Sequence, residues 1–181
     1  MTEIGSDELS LICYKYHSDK CPQIKHGYTP FYYELLKDKR DSIKNVLEIG
    51  AGDGASLRMW RDFLPNAQIY CGELEDYRIF NEDRIHTFKC DQSQKDSLVS
   101  LIEKTGTDID LFIDDGSHES AHQILTCRVL MPLLKEDVIY IIEDVRVRNH
   151  FVELFKEYDC HFEEIHHRNR QDDRLIIVKR K

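Results

Sequence analysis

The sequence predicts a doubly wound α/β domain built on a mostly parallel, seven-stranded sheet. Five short apolar runs alternate with helical patterns, and the first of them is followed by the glycine-rich segment GAGDG; two further strand-like runs at the C-terminus are separated by a polar turn. Nearly continuous apolar runs are typical of parallel strands that are covered on both faces. A short polar turn between two strands indicates an antiparallel hairpin, which here would form the C-terminal edge.

The predicted elements follow one another without a repeat or a linker. Two short helices over 7–16 and 29–39 come first, and Thr29 with Pro30 suits the N-cap and first position of the second helix. The predicted strands are 45–49, 68–72, 85–90, 109–114, 138–143, 160–167 and 174–180. Helices are predicted over 55–64, 94–104, 119–134 and 149–158. We expect one domain over 1–181, in which 1–44 is a helical segment covering the site and 45–181 is the α/β core.

The composition restricts the class of protein. Of the 181 residues, 41% are hydrophobic and 33% are charged, as is typical of a globular domain. The formal net charge of −9 argues against nucleic acid as the main partner, because a phosphate backbone requires a basic face. The basic run 166–170 is a candidate for contact with an anionic acceptor, although a solvated hairpin turn is the more common explanation of such a run.

Cysteine spacing and hydropathy give an expectation for the compartment. The six cysteines show no zinc-finger spacing, and we expect them to be reduced core residues of an intracellular protein. The N-terminus lacks the basic and apolar regions of a secretory signal, and no run approaches the roughly 18 apolar residues of a membrane span. The sequence therefore predicts a cytoplasmic protein without a membrane partner. It leaves the oligomeric state open, a homodimer included.

The residues that follow the first three strands predict a cofactor site, because ligands bind beyond the carboxyl ends of parallel strands. Gly50 and Gly52 allow a tight turn and a close approach of backbone to ligand. Glu73 ends the second strand, where a carboxylate accepts hydrogen bonds from ribose hydroxyls. Asp91 and Gln92 follow the third strand and suit the amino group of adenine.

These features are shared by nicotinamide and adenosylmethionine sites. Gly50, Gly52 and Ala55 fit a permissive dinucleotide fingerprint, and a glycine-rich turn without a ligand is a further alternative. Asp91 taken alone is equally well explained as a helix N-cap.

Acidic residues end the fourth and fifth strands and predict a metal site. Asp114 and Asp115 follow one strand, and Glu143 and Asp144 follow the next. Neither motif contains Lys or Arg, so converging carboxylates would repel one another unless a cation joined them. Oxygen ligands favour Mg²⁺, Mn²⁺ or Ca²⁺. We expect Asp115, Glu143 and Asp144 to be the ligands and Asp114 to face the cofactor or cap the next turn; a solvated acidic rim is the alternative.

His118 is the candidate general base. It lies three residues after Asp115, within reach of a hydroxyl at the metal, and imidazole titrates near neutral pH. His122 shares its helical face if 118–122 is helical, so the two could instead be zinc ligands. Carboxylates rather than thiolates surround them, which makes the zinc site the weaker interpretation.

Six segments, in order over about residues 17–145, carry a resemblance to a known family: SDKCPQIKHGYTPFYYELL, LEIGAGDGASLRMW, GELE, DQSQ, IDDGSH and YIIEDV. They resemble the class I S-adenosylmethionine-dependent methyltransferases, and more narrowly the macrocin-type and rhamnosyl-type sugar O-methyltransferases. One departure is Glu136-Asp137, which stands where the family has two glycines before the fifth strand. A second is length: 181 residues leave little room for a substrate-covering insertion, which favours a smaller sugar on a nucleotide or glycan.

The resemblance implies a Rossmann-like fold and a metal-dependent O-methyltransferase that acts on a sugar hydroxyl, free, nucleotide-linked or glycan-linked. It implies S-adenosylmethionine and Mg²⁺ or Mn²⁺ as cofactors, with His118 as the base. The residues it places at the cofactor are Glu48, Gly50, Gly52, Glu73, Asp91, Gln92 and Asp114, with Lys20, His26 and Tyr28 near cofactor or substrate and Trp60 in the core. The competing hypotheses are an NAD-dependent oxidoreductase and a non-catalytic scaffold that binds adenosylmethionine.

Overall fold

A computed structural model describes residues 5–165 and 173–181, in which the strands form a single mixed sheet. The strands are β1 (Asn45–Ile49), β2 (Gln68–Glu73), β3 (Asn81–Glu82), β4 (Ile85–Lys89), β5 (Leu111–Asp114), β6 (Ile139–Ile142), β7 (Asp159–Glu164) and β8 (Arg174–Lys179). Their order is β3-β4-β2-β1-β5-β6-β8-β7. The five central strands are parallel, and β8 pairs antiparallel with both β6 and β7. The predicted sheet with its antiparallel C-terminal hairpin is confirmed.

Helices cover both faces of the sheet. They are α1 (Glu8–Lys15), α2 (Tyr28–Leu36), α3 (Ala55–Phe63), α4 (Lys95–Thr105), α5 (Ser120–Leu130) and α6 (Val152–Glu157). Because alternate residues of a strand point to opposite faces, Val46 of β1 packs with α1, α2 and α3, whereas Leu47 packs with α4, α5 and α6. This explains why the central strands are apolar throughout.

The sheet has one strand more than the seven that we predicted. Asn81 and Glu82 pair antiparallel with His86 and Ile85 across a tight turn in which Arg84 has a φ of +58°. A strand of two residues is too short to show an alternating apolar pattern, so it left no signal in the sequence.

Two helix boundaries also differ from the prediction. The second helix begins at Tyr28 with Gly27 as its N-cap, so Thr29 is not the cap. The Thr29 hydroxyl instead lies 2.6 Å from that of Ser10, which fastens α2 to α1. The fifth helix ends at Leu130, four residues before the predicted boundary, because Pro132 has no backbone N–H with which to continue the helical hydrogen bonds beyond Met131.

Three further expectations from the sequence concern the cysteines, membrane-spanning helices and the basic run near the C-terminus. All six cysteines are among the described residues, and all but Cys160 are buried, as expected of core residues. Over residues 5–165 and 173–181, none of the helices combines the length and the apolar character needed to cross a bilayer. The basic run 166–170 and the end of the predicted strand 160–167 lie outside the described residues.

Strand register determines which side chains meet at the carboxyl edge of the sheet. Asp114 is level with Ile49 of β1 and with Ile142 of β6. The residues that follow, Asp115 and Glu143, therefore leave the sheet side by side, and Asp115 donates its backbone N–H to Ile49 at 3.0 Å. The chain between α1 and α2 crosses the same edge and brings further side chains to it.

Candidate active site

A cavity of about 690 Å³ opens at the carboxyl edge of the central strands. This volume lies in the range of small-molecule sites in proteins. Its lining residues come from the glycine-rich turn after β1, from the ends of β2, β4 and β5, and from the loop after α1. The predicted site residues among them are Gly50, Gly52, Glu73, Asp91, Gln92, Asp115 and His118.

The turn after β1 requires glycine for two different reasons. Gly50 has a φ of +96°, and a Cβ atom there would lie 2.3 Å from the carbonyl oxygen of Asp115. Gly52 has a φ of +53°, and a Cβ built on it would meet no atom within 4 Å. The first glycine therefore permits close packing on the strand beside it, and the second leaves the cavity open.

The Glu73 carboxylate fixes the backbone on two sides of the cavity. Its oxygens accept hydrogen bonds from the backbone N–H groups of Ala51 and Glu75, each at 2.8 Å. One carboxylate thus holds the glycine-rich turn against the loop after β2 while itself lining the cavity.

Asp91 caps a turn rather than a helix. Its Oδ1 accepts from the N–H and the hydroxyl of Ser93, at 2.9 and 2.7 Å, and these bonds lower the pKa of Asp91. The helix itself begins at Lys95, so the N-cap alternative is wrong in detail. Asp91 keeps its place in the cavity wall.

Asp114 lies behind the wall and supports it. It is fully buried and accepts the Gln92 side-chain N–H at 2.5 Å, while the Gln92 oxygen accepts the Ser117 N–H at 3.0 Å. Burial raises the pKa of Asp114 to about 7, against the lowering effect of Gln92 and of the Gly116 backbone N–H. Of the two roles expected for Asp114, the structure places it in the one that holds the following turn.

Lys20 brings a positive charge to the acidic cluster. Its Nζ lies 2.5 Å from Asp115 Oδ2, 2.5 Å from Glu143 Oε2 and 3.6 Å from Glu48 Oε1, and the residue is only 1% exposed. Burial alone lowers the pKa of Lys20, but the facing carboxylates raise it well above its usual value. The two acidic motifs contain no basic residue, yet the fold supplies one from the N-terminal segment.

Glu143 and Glu48 are enclosed by hydrogen bonds. The Tyr32 hydroxyl donates to Glu143 Oε1 at 2.6 Å, so both Glu143 oxygens have partners within the protein. Glu48 accepts from the Ser56 hydroxyl and the Trp60 indole N–H, both at 2.7 Å. Burial raises the pKa of both carboxyl groups, against the opposing charge of Lys20.

Asp115, His118 and Asp144 form the group of described residues best placed to hold a metal ion. One ligand atom from each lies within 4.8 Å of the others. His118 Nε2 is 3.7 Å from Asp144 Oδ2, and His118 Nδ1 is 4.0 Å from Asp115 Oδ1. The buried Nδ1 finds no hydrogen-bond partner in the described part of the chain. Carboxylate oxygens beside an unsatisfied imidazole fit a divalent cation such as Mg²⁺ or Mn²⁺.

The backbone is strained at two of these three residues, His118 and Asp144. His118 and Asp144 have φ values of +56° and +53°, which side-chain-bearing residues rarely adopt. Such strain is concentrated at functional sites, where the surrounding structure maintains it.

A further group of side chains supports Asp144 from behind. The Tyr28 hydroxyl donates to Asp144 Oδ1 at 2.6 Å, and the His26 ring stacks on the Tyr28 ring at 4.9 Å. His26 Nδ1 lies 2.5 Å from Asp173 Oδ1.

Sequence reasoning missed Asp173 and Tyr32. Asp173 lies in a polar stretch 147 residues from His26, and only the HGY and FYYELL segments pointed to this region.

The predicted site residues thus divide into two sets. Five of the predicted cofactor residues line the cavity, namely Gly50, Gly52, Glu73, Asp91 and Gln92. The other predicted cofactor residues are buried behind its wall, and these are Lys20, Tyr28, Glu48 and Asp114. Among the predicted metal ligands, Asp115 and Asp144 meet at His118, whereas Glu143 is bonded to Lys20 and Tyr32. Lining residues that sequence reasoning missed include His17, Ser18, Asp19 and Arg78.

His122 lines the cavity but stands apart from the metal cluster. Its Nδ1 lies 2.9 Å from the Ser117 hydroxyl oxygen. The metal cluster found among the described residues contains His118 without His122, so the geometry does not favour the alternative of a zinc pair.

Comparison with known proteins relates the chain to sugar-modifying enzymes, although no protein-family profile matches it. It is 37% identical over 128 residues to 8-demethyl-8-alpha-L-rhamnosyl tetracenomycin-C 2'-O-methyltransferase of Streptomyces olivaceus. The aligned segment covers 67% of this chain and 34% of that protein. It is also 37% identical over 127 residues to mycinamicin VI 2''-O-methyltransferase of Micromonospora griseorubida, covering 66% and 32%. The matched part is therefore about a third of the length of these relatives.

A solved structure agrees with the sequence matches. The MycE methyltransferase of the mycinamycin biosynthetic pathway, in complex with Mg, S-adenosylhomocysteine (SAH) and mycinamycin VI, superposes with a TM-score of 0.77 at 26% identity. The superposition covers 96% of this chain and 54% of that one.

Proposed function

We propose that this chain, which has the class I methyltransferase fold and is homologous to the macrocin-type and rhamnosyl-type sugar O-methyltransferases, transfers a methyl group from S-adenosylmethionine to a sugar hydroxyl. The observation that carries the proposal is the cluster of Asp115, His118 and Asp144 beside a cavity that Asp115, His118 and the glycine-rich turn line together. The part of the cavity at the glycine-rich turn, the cofactor end, suits a nucleoside, and the part at the cluster, the metal end, suits a metal-assisted acceptor.

The cofactor end is supported by what its residues offer. Glu73, Asp91 and Gln92 line the cavity, where we expect Glu73 to accept hydrogen bonds from ribose hydroxyls and Asp91 and Gln92 to lie at the adenine. Gly52 leaves room where a side chain would project toward the ligand. Glu48 and Asp114 act from behind the wall by fixing α3 and the turn after β5.

At the metal end, we propose that Asp115 and Asp144 bind Mg²⁺ or Mn²⁺. A bound divalent cation would make an acceptor hydroxyl more acidic and hold it in position. Glu143 as a third direct ligand stays a prediction, because its oxygens are engaged by Lys20 and Tyr32 in this structure. Through Lys20, Glu143 also holds the Asp115 carboxylate in place.

His118 is proposed as the general base. It is partly exposed in the cavity wall and lies between the two proposed ligands, where an acceptor hydroxyl would lose its proton. S-adenosylmethionine would supply the methyl group, and because its sulfonium would leave as a neutral thioether, the cofactor end would need no general acid.

The acceptor is proposed as the sugar of a larger molecule. The two relatives are named for methylation of a rhamnosyl group and of mycinamicin VI, which supports a glycosylated small molecule as acceptor. A smaller nucleotide-linked or glycan-linked sugar, as expected from the sequence, is the second class of acceptor. A methyl-transfer assay that supplies one acceptor of each class distinguishes them.

Calorimetric titration tests the proposal against its two alternatives. We expect the protein to bind SAH and not NAD; binding of NAD alone would favour an oxidoreductase. The variants Asp115→Asn and His118→Ala should bind SAH and fail to methylate a rhamnoside acceptor in the presence of Mg²⁺. His161→Ala, on the exposed edge strand, is the control that should remain active. If the wild type binds SAH and methylates no sugar of the panel, a scaffold function is favoured.

A further inference from the structure

His26 has a buried ring nitrogen that the proposed reaction does not use. The residue is 1% exposed, and its Nε2 has no hydrogen-bond partner among residues 5–165 and 173–181. A buried polar atom without a partner requires an explanation, because nearly all such atoms are paired in native proteins. The acceptors nearest to Nε2 are Asp144 Oδ1 at 3.7 Å and Asp19 Oδ2 at 3.9 Å.

Two contacts fix the direction in which that nitrogen points. Asp173 Oδ1 lies 2.5 Å from His26 Nδ1, and Asp173 is itself only 2% exposed. The His26 ring stacks on the Tyr28 ring, with the ring centroids 4.9 Å apart and an angle of 5° between the ring planes. The pairing with Asp173 fixes the orientation of the ring and directs Nε2 to Asp144.

The Asp144 carboxylate presents its two oxygens to different environments. Oδ1 accepts the Tyr28 hydroxyl at 2.6 Å and faces His26, whereas Oδ2 faces His118 at 3.7 Å. The Tyr28 hydroxyl bonded to Oδ1 and the His26 ring packed beside that oxygen restrain rotation of the carboxylate and so keep Oδ2 directed toward the metal cluster. The backbone of Asp144 also holds a left-handed φ of +53°, a strained conformation that the surrounding contacts maintain.

We propose that His26 is a positioning residue for the metal site, which orients Asp144 through Nε2 and is itself oriented by Asp173. The inference rests on the proposed function, since it treats Asp144 as a ligand. Groups that hydrogen-bond to metal ligands commonly change metal affinity by about 10- to 100-fold when they are removed. The pair also connects the metal site to the start of β8, at the far end of the sequence.

Two isosteric substitutions separate positioning of Asp144 from simple anchoring of Asp173. In His26→Asn the side-chain amide occupies the place of Nδ1 and keeps the bond to Asp173, but nothing reaches Asp144. In His26→Gln the amide nitrogen occupies the place of Nε2 and faces Asp144, while the bond to Asp173 is lost. The measurements are the Mn²⁺ affinity without acceptor, by electron paramagnetic resonance, together with SAH affinity and melting temperature.

We expect His26→Asn to bind Mn²⁺ at least about 10-fold more weakly than the wild type, with SAH affinity unchanged, and His26→Gln to stay close to the wild type. The reverse order would overturn the inference and assign His26 to anchoring alone. Asp173→Leu, which keeps a similar side-chain volume but has no acceptor, should weaken Mn²⁺ binding because the ring loses its fixed direction. Unchanged Mn²⁺ affinity in Asp173→Leu would overturn the inference even if His26→Asn fails to fold.

Two controls separate failure of this inference from failure of the proposed function. His161→Asn, at an exposed position of β7, should bind Mn²⁺ as the wild type does. Asp115→Asn should abolish binding. If the wild type binds no Mn²⁺, the proposed metal site falls and this inference with it. If Asp115→Asn abolishes binding while every His26 and Asp173 variant binds normally, only the positioning role is refuted.

Discussion

Replacing Lys20 by methionine should destabilise the protein strongly, because it removes the internal cation of the acidic cluster. The Lys20 Nζ is within 2.5 Å of two carboxylates and within 3.6 Å of a third, and the residue is 1% exposed. Removing one partner of a buried ion pair costs about 3–5 kcal/mol, since the remaining charge is left uncompensated. For a domain of this size, 1 kcal/mol corresponds to about 2–4 °C in melting temperature. We therefore expect the variant to melt about 6–20 °C below the wild type in EDTA.

Addition of Mn²⁺ should raise the melting temperature of the same variant by more than it raises that of the wild type. Without the ammonium group, Asp115 and Glu143 retain a larger uncompensated negative charge, which a divalent cation can offset. Differential scanning calorimetry with EDTA or with Mn²⁺ measures both effects. Lys15→Met is the matched control, because Lys15 pairs with Asp62 at 3.0 Å but is largely exposed, and its loss should change the melting temperature little. The reasoning would be refuted by a Lys20→Met protein that melts with the wild type in EDTA.

Three further predictions concern catalysis, the cofactor turn and acid stability. His118→Ala should lower kcat by about 10²- to 10⁴-fold with unchanged SAH affinity, measured by methyl transfer and calorimetry; a small kcat effect would remove His118 as the base. Gly50→Ala should lose SAH binding, because its Cβ would lie 2.3 Å from the Asp115 carbonyl oxygen; calorimetric affinity equal to wild type would contradict this. Burial raises the pKa of Asp62, but hydrogen bonds from Tyr16 and others lower it to about 2 overall. Its stabilising effect is therefore complete above the unfolded pKa near 3.8 and is lost as the pH falls toward 2; Asp62→Asn should show a smaller loss of melting temperature between pH 4 and 2.

Sequence patterns predicted the sheet and led to several residues that line the cavity, because both depend on local signals. Apolar runs with glycine after the first run located β1 and its turn, and the strand ends located the acidic residues. The strand Asn81–Glu82 was missed because two residues form no period. The predicted cap at Thr29 was wrong because that hydroxyl is used to join α2 to α1.

The interior of the site was harder to predict, because its contacts join distant parts of the chain. Lys20 is 95 residues from Asp115 and 123 from Glu143, and neither separation has a local signature. The resemblance placed Lys20 and Tyr28 at the site but gave no indication that they would lie behind the cavity wall. The hydrogen bond that Tyr32 donates to Glu143 and the pairing of His26 with the Asp173 carboxylate likewise follow only from the packed fold.

The central claim is metal-dependent methyl transfer to a sugar hydroxyl, and one measurement tests it directly. The purified chain would be incubated with S-adenosylmethionine carrying a labelled methyl group and with methyl α-L-rhamnoside, a nucleotide-linked deoxysugar or mycinamycin VI, in Mg²⁺ or in EDTA. We predict labelled sugar ether in at least one reaction with Mg²⁺, its loss in EDTA, and its loss in Asp115→Asn. Transfer that continues equally in EDTA, or none to any of these sugars by a protein that binds SAH, would contradict the account.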